Sequence, residues 1–249
     1  MTKIKEITLY IITLGTLLII WQIRATMVDN ATLFPFPVNV WASLTTLLSQ
    51  IETYRIILFT LFRLLISLGT SLLVGVILGV IAGFSKTVYT LLRPVVTGLR
   101  SLPVASLIVV ILILYGQQQA VYIIGFLMIF PIMFEASAHG VINVNVQLVH
   151  ATRIEAVNKP KKLLYVYFPL ALPYIKTGLF QSVGLGFKVL VMAEFIAQTQ
   201  ISIGRMLYLG RINIQYADVF AWTIIIILIV LLIESLLKRL QTSSDTEYT

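Results

Sequence analysis

Long apolar segments dominate this chain and limit what it can become. They lie near residues 7–23, 57–84, 100–116, 120–138, 163–197 and 217–237, and a bilayer core about 30 Å thick takes roughly 20 apolar residues per helix. In lipid every backbone polar group must find its partner within the segment, so such runs become helices. An all-α, polytopic membrane bundle of about six transmembrane helices is predicted. The run 100–116 departs most from a plain span: Pro103 interrupts it, and Gly116, Gln117, Gln118 and Gln119 follow Tyr115. It is expected to be kinked or fused with its predecessor. Of the 249 residues, 59% are hydrophobic and 11% charged, with a mean hydropathy of +0.98, whereas soluble domains carry about a quarter of charged residues. Soluble enzymes, nucleic-acid modules and disordered tails are thereby excluded. The absence of cysteine removes disulfides, thiolate metal sites and cysteine nucleophiles, leaving His139 and His150 for any imidazole chemistry.

The net charge of +8 reads by position. Lys3 and Lys5, then Lys86, Arg93 and Arg100, then Arg153, Lys159, Lys161 and Lys162, and finally Lys238 and Arg239 fall in alternate connections and at the ends. The positive-inside rule places these on the cytoplasmic side, with both termini inside. Arg24, Arg55, Arg205 and Arg211 fall in the opposite loops, while Arg63, Lys176 and Lys188 fall within spans. Most of the basic surplus is thus topological rather than a nucleic-acid patch.

The first apolar run follows Lys3 and Lys5 as a signal peptide would, but Ile23, Arg24 and Ala25 lack the small-residue pattern of a cleavage site, so it is read as a helix. After it, Pro35 and Pro37 break the chain. From Val38 to Ile51, Val40, Trp41, Leu44, Leu47 and Leu48 form a helical stripe suited to the membrane surface or to packing on the bundle. Gly75, Gly79 and Gly83 share one helix face, where a neighbouring backbone can approach closely. The expected organisation is an N-terminal transmembrane helix over 1–32, an external loop with an interfacial helix over 33–56, a core over 57–240 and a cytoplasmic tail over 241–249.

No phosphate-binding glycine loop, His-Glu-x-x-His pair or Gly-x-Ser-x-Gly turn occurs. Neither an enzyme activity, a cofactor nor a metal site is predicted. Ionisable residues within spans are costly and become functional candidates. Glu135, Lys188 and Glu194 are therefore read either as lining a translocation path or as structural ion pairs and interfacial side chains. Lys188 and Glu194 are six residues apart, about 240° around a helix, and do not face one another, whereas Lys188 and Glu135 are candidates for a pair. Arg63 is expected to snorkel at the interface.

The connection from Gly140 to Lys162 mixes polar residues with Ile142, Val146, Val149, Ile154 and Val157, an amphipathic pattern suited to a helix seated in a partner's groove. Here the chain resembles the membrane-spanning permease subunit of bacterial ATP-driven (ABC) importers that use a solute-binding protein. The family mark reads Glu-Ala-Ala, three residues, Gly, nine residues, Ile, one residue, Leu-Pro. The matching spacing here reads His150-Ala151-Thr152, Ala156, Val166 and Phe168-Pro169. A register starting at Glu155-Ala156 stays open, although it puts Tyr174 where the proline belongs. LFPFPVNVW, TLFRLLISLG and LRSLPVASLIVVILILYG resemble the nitrate, sulfonate and taurine branch, as do FPLALPYIKTGL and GLGFKVLVMAEFI with its Ala193-Glu194 pair. The likeness runs from about residue 33 to 240.

The resemblance implies a type I importer permease in the bacterial cell membrane, paired with a second copy as a homodimer and surrounded by lipid. It further implies docking to separate ATPase subunits and delivery of solute by an extracytoplasmic binding protein. Residues 150–160 then form a coupling helix, with His150, Ala151, Thr152, Arg153, Glu155, Ala156 and Lys159 at the ATPase contact. His150 replaces the family's acidic residue, Ala156 its glycine, and Lys188 a residue usually neutral. The branch includes importers of nitrate, sulfonates, taurine and thiamine pyrimidine precursors, so a small polar solute is expected. The alternative is a proton-coupled secondary transporter in which Glu135, Glu194 and Lys188 titrate; a membrane scaffold or enzyme subunit is a third class.

Overall fold

The structure is a computed structural model and describes residues 3–28, 30, 32–144 and 167–245. Among these, the regular elements are helices: α1 (Lys3–Val28), α2 (Pro37–Ser49), α3 (Ile51–Phe84), α4 (Lys86–Ser101), α5 (Val104–Ile142), α6 (Phe168–Ala197), α7 (Ile203–Ile212) and α8 (Tyr216–Asp245). Local chemistry sets their ends. Pro37 opens α2 and Pro169 opens α6, where a missing N–H costs nothing. Ser85 caps α4 by accepting from the Val88 N–H, and Ser202 caps α7 by accepting from the Arg205 N–H. The basic connection after α3, expected as a loop, is the amphipathic helix α4, which buries Val96 and packs Val88, Tyr89, Leu92 and Leu99 around Phe130 and Phe134.

Among the described residues, five helices are long and apolar enough to cross a membrane. The expected third and fourth spans are two arms of α5, divided at Gly116, whose φ of 76° and ψ of 173° are not helical. The first arm is therefore set apart on both sides, by Leu102 in extended conformation and Pro103 before it and by Gly116 after it, and is not fused with its predecessor. Its 12 residues, 104–115, rise about 18 Å, less than one crossing. Counted by arms, the hydrophobic segments number six, in keeping with the sequence.

The core is a three-helix unit of α3, the second arm of α5 and α6, with Ile124, Ile129, Met133, Phe187 and Leu190 fully buried. Gly75, Gly79 and Gly83 of α3 meet that arm of α5. An added Cβ at Gly79 would lie 2.4 Å from the Phe134 carbonyl oxygen, and one at Gly83 would lie 2.6 Å from the Val141 Cβ. Without side chains on α3 here, the backbones approach closely and exchange dispersion contacts that lipid cannot replace. At one end of the bundle lie the turn of α3 at Ser85, the end of α5 and Tyr167, whose ring lies 4.6 Å from that of Phe84. At the other end sit α2, α7 and the start of α8.

Peripheral helices attach less. In α2, Val40 and Leu44 are buried and Leu47 packs on the core, while Trp41 and Leu48 stay exposed, so the stripe divides between bundle and surroundings. Helix α1, charged at Lys3, Lys5, Glu6 and Arg24 and largely apolar from Leu9 to Trp21, holds on through Ala25 and Trp21, whose Nε1–H donates to the Pro35 carbonyl at 3.1 Å and whose ring stacks on Phe220.

Candidate functional site

Polar chemistry collects in two places, one open and one closed. The open one runs along α6. Tyr174, Thr177, Gln181, Leu185, Lys188 and Met192 are all exposed, and their steps of three and four residues place them on one helix face. The outer face of α3 contrasts with it, since Phe62, Leu65, Leu73, Ile77 and Ile81 are exposed and apolar, and the hydroxyl of the exposed Thr70 among them donates back to the Ile66 carbonyl. Lipid suits the second face. A lysine and an amide do not belong against hydrocarbon, where a charged side chain costs about 2.5 kcal/mol or more.

Beside this stripe lies a groove of about 770 Å³ between α6 and the second arm of α5, with Arg100 of α4 at its edge. Glu135 lines it and forms an ion pair with Arg100, both side chains being partly exposed. Glu135 is thus engaged by Arg100 and not by Lys188, because α4 brings the guanidinium up to it. His139, also on the groove, stands edge-on to Tyr89 with ring centres 6.2 Å apart. Lys188 lies one turn beyond Leu185, the last α6 residue lining the groove. Among the described residues no three His, Asp or Glu side chains converge to hold a metal.

The closed site surrounds Glu194, which is fully buried. Its Oε1 accepts from Arg63 Nη1 at 2.9 Å, and its Oε2 accepts from Thr60 Oγ1 at 3.0 Å and from the Gly204 N–H at 3.3 Å. Arg63 also donates to the carbonyls of Gln200 at 2.8 Å and Ile201 at 3.0 Å, tying α3 to the turn between α6 and α7. That turn carries Gln198 at φ 53° and Ile201 at φ 48°. A β-branched residue in the left-handed region is strained, and the guanidinium bonded to the Ile201 carbonyl holds it there. A Cβ at Gly204 would fall 2.3 Å from the Phe195 backbone nitrogen, so only glycine lets α7 lie this close to α6. Arg63, expected to snorkel, is instead 4% exposed. The correction has a simple cause: once Glu194 is buried opposite, the guanidinium has an ionic partner inside the bundle and no reason to reach for water.

The sequence brought forward Glu135, Lys188 and Glu194 together, but the structure divides them. Glu135 lines the groove and Lys188 lies on the exposed stripe, whereas Glu194 belongs to the closed cluster. Arg63, Thr60 and Arg100 were missed as partners. His150, Ala151, Thr152, Arg153, Glu155, Ala156 and Lys159, assigned to an ATPase contact, lie outside the described residues.

Comparison with known proteins bears on this geometry. Residues 75–247 match the family described as binding-protein-dependent transport system inner membrane component. The taurine transport system permease protein TauC of Escherichia coli (strain K12) is 29% identical over 245 residues, covering 95% of this chain and 88% of that protein. The bicarbonate transport system permease protein CmpB of Synechococcus elongatus is 24% identical over 239 residues, covering 90% of this chain and 84% of that protein. The nitrate import permease protein NrtB of Synechocystis sp. (strain PCC 6803) is 25% identical over 205 residues, covering 74% and 70% respectively.

Proposed function

Because the chain belongs to the binding-protein-dependent transport system inner membrane component family and is a permease of an ATP-driven importer, we propose that solute crosses along the exposed face of α6. The single observation that carries this reading is the polar stripe of Thr177, Gln181 and Lys188 on a helix whose other faces are packed. Such a face needs water or another protein surface beside it. A second copy of the chain, presenting the same stripe across a two-fold axis, would enclose a wet passage between them. Glu135 and Arg100 stand on the groove beside the stripe, while Glu194 has the structural role of fixing α6 to α3.

By its basic charge we take the end of the bundle bearing Lys86 and Arg93 as the cytoplasmic one, with Val144, Tyr167 and both termini on that side. Residues 150–160 would then contact the ATPase. The transported solute is small and polar, of the sulfonate, nitrate, taurine or thiamine-precursor kind, and an external binding protein delivers it. The proton-coupled alternative is not carried forward, since Glu135 and Glu194 each face an arginine. The test is uptake by vesicles containing the tagged chain with its co-purified ATPase and supplied with the external binding protein. Uptake should stop on ATP depletion, survive collapse of the proton gradient, and fall at least tenfold when Arg153 and Glu155 are both replaced by alanine. Uptake that follows the proton gradient instead, or a chain that brings down no ATPase, would refute the assignment.

A further inference from the structure

Lys188 gives the exposed face of α6 a positive charge that forms no ion pair among the described residues. The residue is exposed, and its azimuth lies between those of Gln181 and Thr177. Among the described residues it makes no ion pair: Glu52 pairs with Arg55, Glu135 with Arg100 and Glu194 with Arg63. The remaining acidic group near it is Glu234 of α8. Its Oε1 is directed at Gly184, where an added Cβ would lie 3.7 Å away, one turn before Lys188 and outside ion-pair distance of the ammonium. The groove contributes no second net charge, because Arg100 and Glu135 compensate one another.

An ammonium in a span, open to a passage of reduced dielectric, attracts anions and repels cations over several ångströms. Its four-carbon stem lets the charge follow a passing group, and with three donors and no acceptor it hydrogen-bonds oxyanions and not ammonium groups. We propose that Lys188 is a specificity-determining residue, a fixed positive station that favours solutes bearing an anionic group such as a sulfonate, carboxylate or nitrate-like oxyanion. This rests on the reading of the α6 face as the path. Repeated in a second copy, two such ammonium groups would face one passage and strengthen the bias.

The chain has no cysteine, so one introduced thiol reports its own surroundings. In the full importer in membranes at low salt, Gln181→Cys is reacted with a negatively and a positively charged methanethiosulfonate of similar size, with labelling read on this chain. Position 181 lies about 10 Å along the helix from Lys188, and a unit charge at that distance in water changes each rate roughly twofold in opposite directions. Replacing Lys188 by glutamine in that background should therefore lower the anionic-to-cationic rate ratio about fourfold or more. Lys188→Arg should keep the ratio, and added salt should shrink the effect. If both reagents react and the ratio does not respond to Lys188, as neutralisation by Glu234 would produce, the anion preference is overturned while the path stands. If neither reagent reaches Gln181→Cys, leaving it as silent as Leu73→Cys on the apolar face of α3, the path itself is overturned, and this inference with it.

Discussion

A buried arginine and glutamate are held where neither could remain alone. Removing one partner leaves the other charge without compensation, which typically costs about 3–5 kcal/mol, whereas replacing both by apolar side chains of similar volume is far milder. Arg63→Met and Glu194→Leu are each expected to lower the thermal unfolding midpoint in detergent sharply, and the double variant to recover much of that loss. A double variant as unstable as the sum of the singles would show that the pair contributes nothing as a pair. The identity of this cluster was partly legible. Thr60, Arg63, Ser67 and Ser71 continue the Gly75, Gly79, Gly83 spacing back along α3, and all four are buried. Ser71 Oγ donates to the Phe126 carbonyl at 3.1 Å, extending the glycine contact as a polar one. Arg63, expected to snorkel at the interface, belongs to this buried face instead. Its partner Glu194 is 131 residues away in sequence, and no local pattern pairs them.

At the scale of the helix, the seam between α3 and α5 makes glycine positions unequal. Gly79→Ala would push a methyl into the Phe134 carbonyl and should destabilise by about 1–3 kcal/mol. Gly98→Ala on α4, with nothing within 4 Å of the added Cβ, should be neutral or stabilising by up to about 1 kcal/mol through helix propensity. Unfolding midpoints of the two variants in the same detergent make the comparison. Gly116→Ala tests the break in α5. At φ 76° a side chain adds strain of about 1–3 kcal/mol, although space is free around it, so a lowered midpoint reports backbone conformation alone. The sequence marked Pro103, Gly116 and the three glutamines as an interruption, since polar residues and glycine within an apolar run are visible at once. That the short arm stands apart from both neighbours was not visible, because it depends on the backbone angles at Leu102 and Gly116. The helix α4 was hidden for another reason: its apolar residues answer to Phe130 and Phe134, and without those the segment reads as a basic loop.

For the whole molecule, the contrast between the polar face of α6 and the apolar face of α3 predicts what each meets. In a homodimeric importer, single Thr177→Cys chains should cross-link to one another with a short bifunctional thiol reagent in membranes, and Leu73→Cys chains should not. Cross-linking at Leu73 with none at Thr177 would turn the assembly around. Composition and family resemblance made the architecture readable from the sequence; the division of Glu135, Lys188 and Glu194 between an open and a closed site was not, because periodicity says which residues share a face and not which face another helix covers. The seam along α3 has a mechanical consequence. From Gly83 to Ser67 it runs about 24 Å along a single rod, meshed with α5 like teeth at close pitch, and Arg63 and Thr60 carry the same face on to α6 and the start of α7. Helices engaged in this way cannot slip past each other by an ångström or two without collision. A push delivered near Ser85 is therefore expected to tilt the trio as one piece and move the Arg63 end with it.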